Sequence, residues 1–231
     1  MGLFGSICSG ISSFCSSVCS GVSSALSSAA SWAGSALSSI ACGIGNAICG
    51  IGSFASNLLK GLGIFKENDS EPEEWGDRAI QAEQQQIFPN QFDDFDDYLD
   101  ALRNFELDPE KSKESNLEQK IFKGLEVAGR ALEAKFNAPE GSMADVFVLH
   151  HSNPEYFTSE RFQSLLSSGT SIVDIATYFE GRVGGAEALN IEDKLVDIDQ
   201  NAHPEKDENI SRHELYDAVD TSQNTLRNLG D

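Results

Sequence analysis

Acidic side chains are missing from residues 1–66 of this 231-residue chain, and the only charges there are Lys60 and Lys66. Proline is missing before Pro72, cysteine is missing after Cys49, and basic residues are few, 16 against 37 acidic, for a formal net charge of −21. Each absence excludes something. The 14 basic and 37 acidic side chains left to residues 67–231 give that part a charge of −23. A phosphate backbone is held by Lys and Arg that displace its counterions, so tight binding of nucleic acid is not expected there. The five cysteines are odd in number and contain no C-x-x-C. Neighbours such as Cys8, Cys15 and Cys19 cannot bridge along one continuous helix, so neither a disulfide framework nor a zinc site is expected. There is also no G-x-S-x-G, G-x-G-x-x-G, P-loop or H-E-x-x-H sequence, and no enzymatic activity is expected.

What is present in residues 1–65 is a repeat. Apolar residues recur in steps of three or four, and the pattern closes at every eleventh position. Phe4, Cys15, Leu26, Leu37, Ile48 and Leu59 form one register, Ile7, Val18, Ala29, Ile40, Ile51 and Leu62 a second, and Ile11, Val22, Ala33, Ile44 and Ala55 a third. Eleven residues over three turns is about 3.67 per turn, close to an undistorted α-helix. One long or once-broken amphipathic helix is predicted, reaching on the order of 90 Å at about 1.5 Å per residue. Its expected membrane or assembly face is Phe4, Ile7, Ile11, Val18, Val22, Leu26, Leu37, Ile40, Ile44, Ile48, Ile51, Leu59 and Leu62. The opposite face is serine and glycine with no charge before Lys60, where a soluble helix would carry Lys and Glu. Serine hydroxyls bond back to their own helix, and small residues let helix backbones approach closely. Serine and glycine are also weak helix formers, so the helix needs lipid or neighbours to persist.

Three uses of such a segment stay open. It lies in a bilayer interface; or several copies pack as a ring or tube with serines toward a wet lumen; or it packs as a core helix or coiled coil in a larger assembly. A single crossing is less favoured, because serine, asparagine and glycine interrupt every apolar run. A secretory signal is not expected without a basic start. The opening Met1-Gly2-Leu3-Phe4-Gly5-Ser6 fits the N-myristoylation pattern at Gly2, with Cys8 as a candidate palmitate site.

A Met-Gly start, a Gly/Ser-rich amphipathic segment and an eleven-position repeat together resemble viral proteins that breach membranes, both small capsid proteins and phage ejection proteins that form helical conduits. The resemblance covers residues 1–64. It implies a homo-oligomeric or virion-type assembly, membrane lipid as partner, and a pore or conduit for penetration or genome delivery. It also implies residence in a virus particle before delivery to a host membrane.

The remainder reads as an all-α, acidic multi-helix domain over 78–231, joined through an acidic linker at 66–77. Helices are predicted at about 77–87, 91–105, 115–136, 143–151, 158–168, 171–182, 189–197 and 211–228, with one short alternating run at Val146–Leu149 that could be a strand. Ser211 with Glu214 fits a capping box at a helix start. The charges of 115–136 are expected on a solvated face. Near the C-terminus, Asp197-Ile198-Asp199-Gln200-Asn201 has the oxygen spacing that opens an EF-hand loop, and Ile210–Leu215 looks like the closing of one. Asp197, Asp199, Asn201 and Glu214 are therefore candidate calcium ligands. The spacing departs from the family pattern, because Glu214 falls eighteenth in the loop where the family has its closing glutamate twelfth, and Ala202 takes the place of the turn glycine. His150 and His151 point about 100° apart on a helix and cannot share a ligand face. Two further functions stay open beside the conduit: a lipidated, calcium-responsive membrane-binding module, and a toxin-like or secreted translocator pore.

Overall fold

The eleven-position period runs on into the first helix of the computed structural model, which describes residues 45–230, with side chains from 50 to 227. The described residues form ten α-helices and no strand, so this part of the protein is all-α. They divide into two compact units between Ala144 and Asp145, in place of the single acidic domain expected over 78–231.

In the first unit, α1 (Gly45–Gly61) buries Ile51, Phe54, Ala55, Leu58 and Leu59. These residues pack in a core with α2 (Pro72–Gln84) and α5 (Leu117–Phe136). The apolar stripe assigned to lipid or assembly is thus, over its described end, a core face of the protein itself. The expected linker at 66–77 is shorter than its composition suggests. Its Pro72 opens α2, where a missing N–H costs nothing, and Glu73 and Glu74 sit in the first turn, where the helix dipole favours anions. The chain between α1 and α2 is pinned. Phe65 stacks on the fully buried Trp75 at 4.7 Å, and the guanidinium of Arg103 lies 5.5 Å above the same indole. Arg103 also donates to both oxygens of Asp69 and to the Ile64 carbonyl at 3.0–3.2 Å.

Arg103 ends α3 (Phe95–Arg103), which Asp94 caps by accepting from the Asp97 N–H at 2.9 Å. Tyr98, Leu99 and Leu102 face the core, and Asp96, Asp97 and Asp100 face water. A single turn, α4 (Pro109–Ser112), has no counterpart among the predicted helices. α5 is capped by a box in which Asn116 and Gln119 each accept the other's backbone N–H, and it ends at Asn137 in the left-handed conformation. The central position of α5 overturns the solvated face expected for it. Lys123, Glu126 and Glu133 are 2%, 3% and 7% exposed. Lys123 Nζ lies 2.5 Å from Glu83 on α2 and 2.6 Å from Glu126, and Lys120 reaches Asp77 on α2 at 2.9 Å.

These ion pairs are possible because α2 and α5 cross with backbones nearly touching. A Cβ at Gly76 would sit 1.7 Å from the Lys120 carbonyl oxygen, and one at Gly124 would sit 1.9 Å from that of Pro72.

The second unit holds α6 (Ala144–Ser152), α7 (Ser159–Ser167), α8 (Ile172–Phe179), α9 (Gly185–Ala202) and α10 (Glu208–Gly230). Thr158 and Ser171 cap α7 and α8 by accepting the N–H three residues on. The unit is built around Phe157, whose ring lies 4.7 Å from Phe179 and 5.5 Å from Phe162, all three fully buried. Val146–Leu149, read as a possible strand, lies within α6, and all four side chains are buried there. Ser211 is not a helix cap. α10 starts earlier, with Asp207 accepting from the Asn209 N–H at 2.8 Å, and the Ser211 hydroxyl is buried inside the unit.

Candidate functional site

The four candidate calcium ligands do not form an ion-binding loop. Asp197, Asp199 and Asn201 all lie on α9, which runs through the region expected as loop and stops only at Ala202. Asp197 and Asn201, four residues apart, share the exposed face; Asp199 is two residues on, about 200° round the helix, and points into the unit. Asp199 is 5% exposed. It accepts from the Arg161 guanidinium at 2.8 Å and from the Ser211 hydroxyl at 2.7 Å. The Lys206 ammonium lies 3.5 Å from Asp199 and 2.8 Å from Glu214. A lysine of the chain therefore stands between the two carboxylates that calcium was expected to join. Among the described residues no group of three or more His, Cys, Asp or Glu is placed to hold a metal ion. The acidic spacing that resembled a loop is a helix with one buried ion cluster and a wet face.

That cluster forms the base of a cleft of about 740 Å³ in the second unit. Tyr156, Arg161 and Glu160 line it from α7 and the turn before it; Asp199 and His203 line it from the end of α9; Glu214 and Asp217 line it from α10. The Arg161 guanidinium lies 3.9 Å over the Tyr156 ring, which meets the Phe157 ring nearly at right angles. Burial raises the Asp199 carboxyl, but the Ser211 hydroxyl, Arg161 and Lys206 together outweigh it and hold the group below the usual value. Lys206 is held above its usual value, chiefly by its bond to Glu214. Burial pushes the Tyr156 phenol up to about 12, so it is a neutral hydrogen-bonding group at physiological pH.

Neither His150 nor His151 lines this cleft. His150 Nδ1 bonds the Phe157 carbonyl at 2.9 Å, and burial lowers the proton affinity of both His150 and His151. Both lie half-buried on α6.

Of the expected membrane face, Ile51 and Leu59 are core residues, 2% and 0% exposed, and Leu62 is half-buried in the turn after α1. Ile48 lies on α1, with its side chain outside those described. Phe4, Ile7, Ile11, Val18, Val22, Leu26, Leu37, Ile40 and Ile44 lie outside the described residues, as do the lipidation candidates Gly2 and Cys8. No helix among the described residues is long and apolar enough to cross a membrane.

Sequence reasoning missed Arg161 and Lys206. A D-x-D-x-N run draws attention to its own oxygens, whereas the cations that neutralise Asp199 come from 38 residues before it and 7 after it. The spacing of Ser211 twelve residues after Asp199, which also contributes a bond, carries no motif. No protein-family model, no curated protein and no solved structure matches the chain.

Proposed function

We propose that the protein is a membrane-active assembly protein: its uncharged N-terminal segment associates with copies of itself in lipid to form a pore or conduit, and its acidic body keeps the segment soluble and positioned. The observation that carries this reading is the stretch from Met1 to Leu59, which holds no charged side chain and is patterned at every eleventh position. A serine face costs little to bury among like helices, and the repeat allows many copies to pack without distortion. The root of the segment supports the same division of labour. α1 is fixed by Ile51, Ala55 and Leu59 in the first unit, and the Arg103–Asp69 bond and the Phe65–Trp75 stack secure the chain just after it. An arm rooted this firmly transmits its position to the body. The acidic surface suits a protein past which nucleic acid must slide, since like charge repels phosphate.

The test is dye release from liposomes by the full chain. Leu37→Asp with Ile40→Asp places two charges on the apolar positions of the repeat and should abolish release. Ser35→Asp with Ser39→Asp places the same charges on the serine face and should reduce it less. Undiminished release by the first variant would overturn the assignment of the lipid-facing side. No release by the unmodified chain from any lipid composition would remove the membrane reading itself.

A further inference from the structure

We propose that the cleft of the second unit binds an extended alkylammonium group, the chain of a polyamine or the side chain of a partner's lysine. The inference does not rest on the membrane reading.

Two features of the cleft point the same way. The first is its unbalanced charge. Glu155, Glu160, Asp199, Glu214 and Asp217 all line it, against Arg161 and Lys206. Both cations are already engaged, Arg161 with Asp199 and Lys206 with Asp199 and Glu214. Glu155 and Glu160 have no ion pair among the described residues, and Asp217 has only His213 at 3.6 Å, on an exposed side chain. Glu160 is held ionised by its own backbone N–H and the Thr158 hydroxyl.

The second feature is uncharged. Tyr156 lines the cleft, and its ring is engaged on one face by Arg161 and also packs against Phe157 and Phe179, yet its hydroxyl makes no hydrogen bond among the described residues. A phenol raised to about 12 accepts a hydrogen bond from an ammonium without ionising. The wall between the carboxylates is apolar, with Ile198, Ala202 and Ala218, which suits methylene groups between cationic nitrogens. A compact hydrated ion has no use for that wall, and an anion would have to approach five carboxylates. The volume, about 740 Å³, lies within the roughly 300–1,000 Å³ usual for small-ligand sites. The chain already shows the chemistry once, since the Arg161 guanidinium rests on an aromatic face with a carboxylate at 2.8 Å.

The experiment is calorimetric titration of the full-length protein with spermidine at low salt, repeated with a lysine-containing peptide and with Mg²⁺ in excess. Saturable one-to-one binding is expected, retained in Mg²⁺ and weakened about fivefold by Asp217→Asn or Glu160→Gln, both exposed carboxylates outside the core. Tyr156→Phe keeps the ring and its packing and should weaken binding by a similar factor. Tighter binding of spermidine than of the peptide assigns the site to a free polyamine, and the reverse assigns it to a protein partner. Binding that never saturates, that Mg²⁺ abolishes, or that is unchanged in all three variants would show only diffuse attraction to an acidic surface and would overturn the proposal.

Discussion

Alanine at Gly76 or Gly124 should strongly destabilise the first unit, although alanine is the better helix former at both places. Helix propensity alone favours Gly→Ala by about 1 kcal/mol. The crossing of α2 and α5 opposes it. The added Cβ would lie 1.7 Å from the Lys120 oxygen in one case and 1.9 Å from the Pro72 oxygen in the other. Both obstacles are backbone and cannot swing aside, so the helices must part by roughly 1.5 Å, and a gap of about 0.5–1 Å already forfeits a quarter to a half of each contact's attraction. The separation also stretches two ion pairs that bridge these helices, Lys120–Asp77 at 2.9 Å and Lys123–Glu83 at 2.5 Å, the second buried. Overpacking costs about 1–3 kcal/mol, and disrupting a buried pair about 3–5 kcal/mol. The net loss should be on the order of 3–5 kcal/mol, a large part of a domain's total stability. Urea unfolding followed by circular dichroism and by indole fluorescence, to which Trp75 contributes from the core, measures it. Gly50→Ala is the control, because a Cβ there meets nothing within 4 Å, and it should stabilise by up to about 1 kcal/mol. If Gly76→Ala and Gly124→Ala also stabilise, the close crossing is wrong.

Ile51→Asp should destabilise the first unit by several kcal/mol, because the side chain is 2% exposed in the core; an unchanged urea midpoint would refute its place there. Asp145 is raised to about 6 by burial, with Glu180 adding to the effect. Between its unfolded value near 3.8 and about 6 the folded state holds the extra proton, so this group's contribution to stability falls as pH rises through that window. Asp145→Asn should therefore gain on the order of 2 kcal/mol over the parent above pH 6 and nothing below pH 4, read by melting both proteins at matched pH. Matching cancels the opposite slope of His150 and His151, whose lowered values make stability fall as pH drops below 6.5. Lys206→Met leaves Asp199 with Arg161 and Ser211 only, and should lower the melting temperature of the second unit by a few degrees. Calcium should not shift that melting temperature, since Asp197 and Asn201 face away from Asp199; a saturable calcium-dependent rise would restore the loop.

The helical elements were readable because their signals are local. Apolar spacing placed six of the eight expected helices within a few residues of their positions, whereas the cap expected at Ser211 does not form and the caps at Asp94, Asn116, Thr158 and Ser171 are found only in the structure. The failures are also physical. The acids of 66–77 suit a linker and a helix's first turn equally well, and only Trp75 packing on Phe65 decides for the helix. The run from Asp197 to Asn201 suits a loop or a helix, and the capture of Asp199 by Arg161 and Ser211 decides for the helix. The glycines of α2 and α5 look like blemishes in two helices until the crossing uses both.

The division of charge near Glu67, the helical class and the eleven-position period of the N-terminal segment are all legible without coordinates, because each is a property of residues near one another along the chain. Packing settles the rest. It makes the period's last described turns a core face, turns charges of α5 inward, and neutralises two of the four expected calcium ligands, Asp199 and Glu214, with the chain's own cations. An amphipathic stripe or a carboxylate specifies that it needs a partner. Which partner it obtains depends on residues tens of positions away, brought together by the burial of apolar surface.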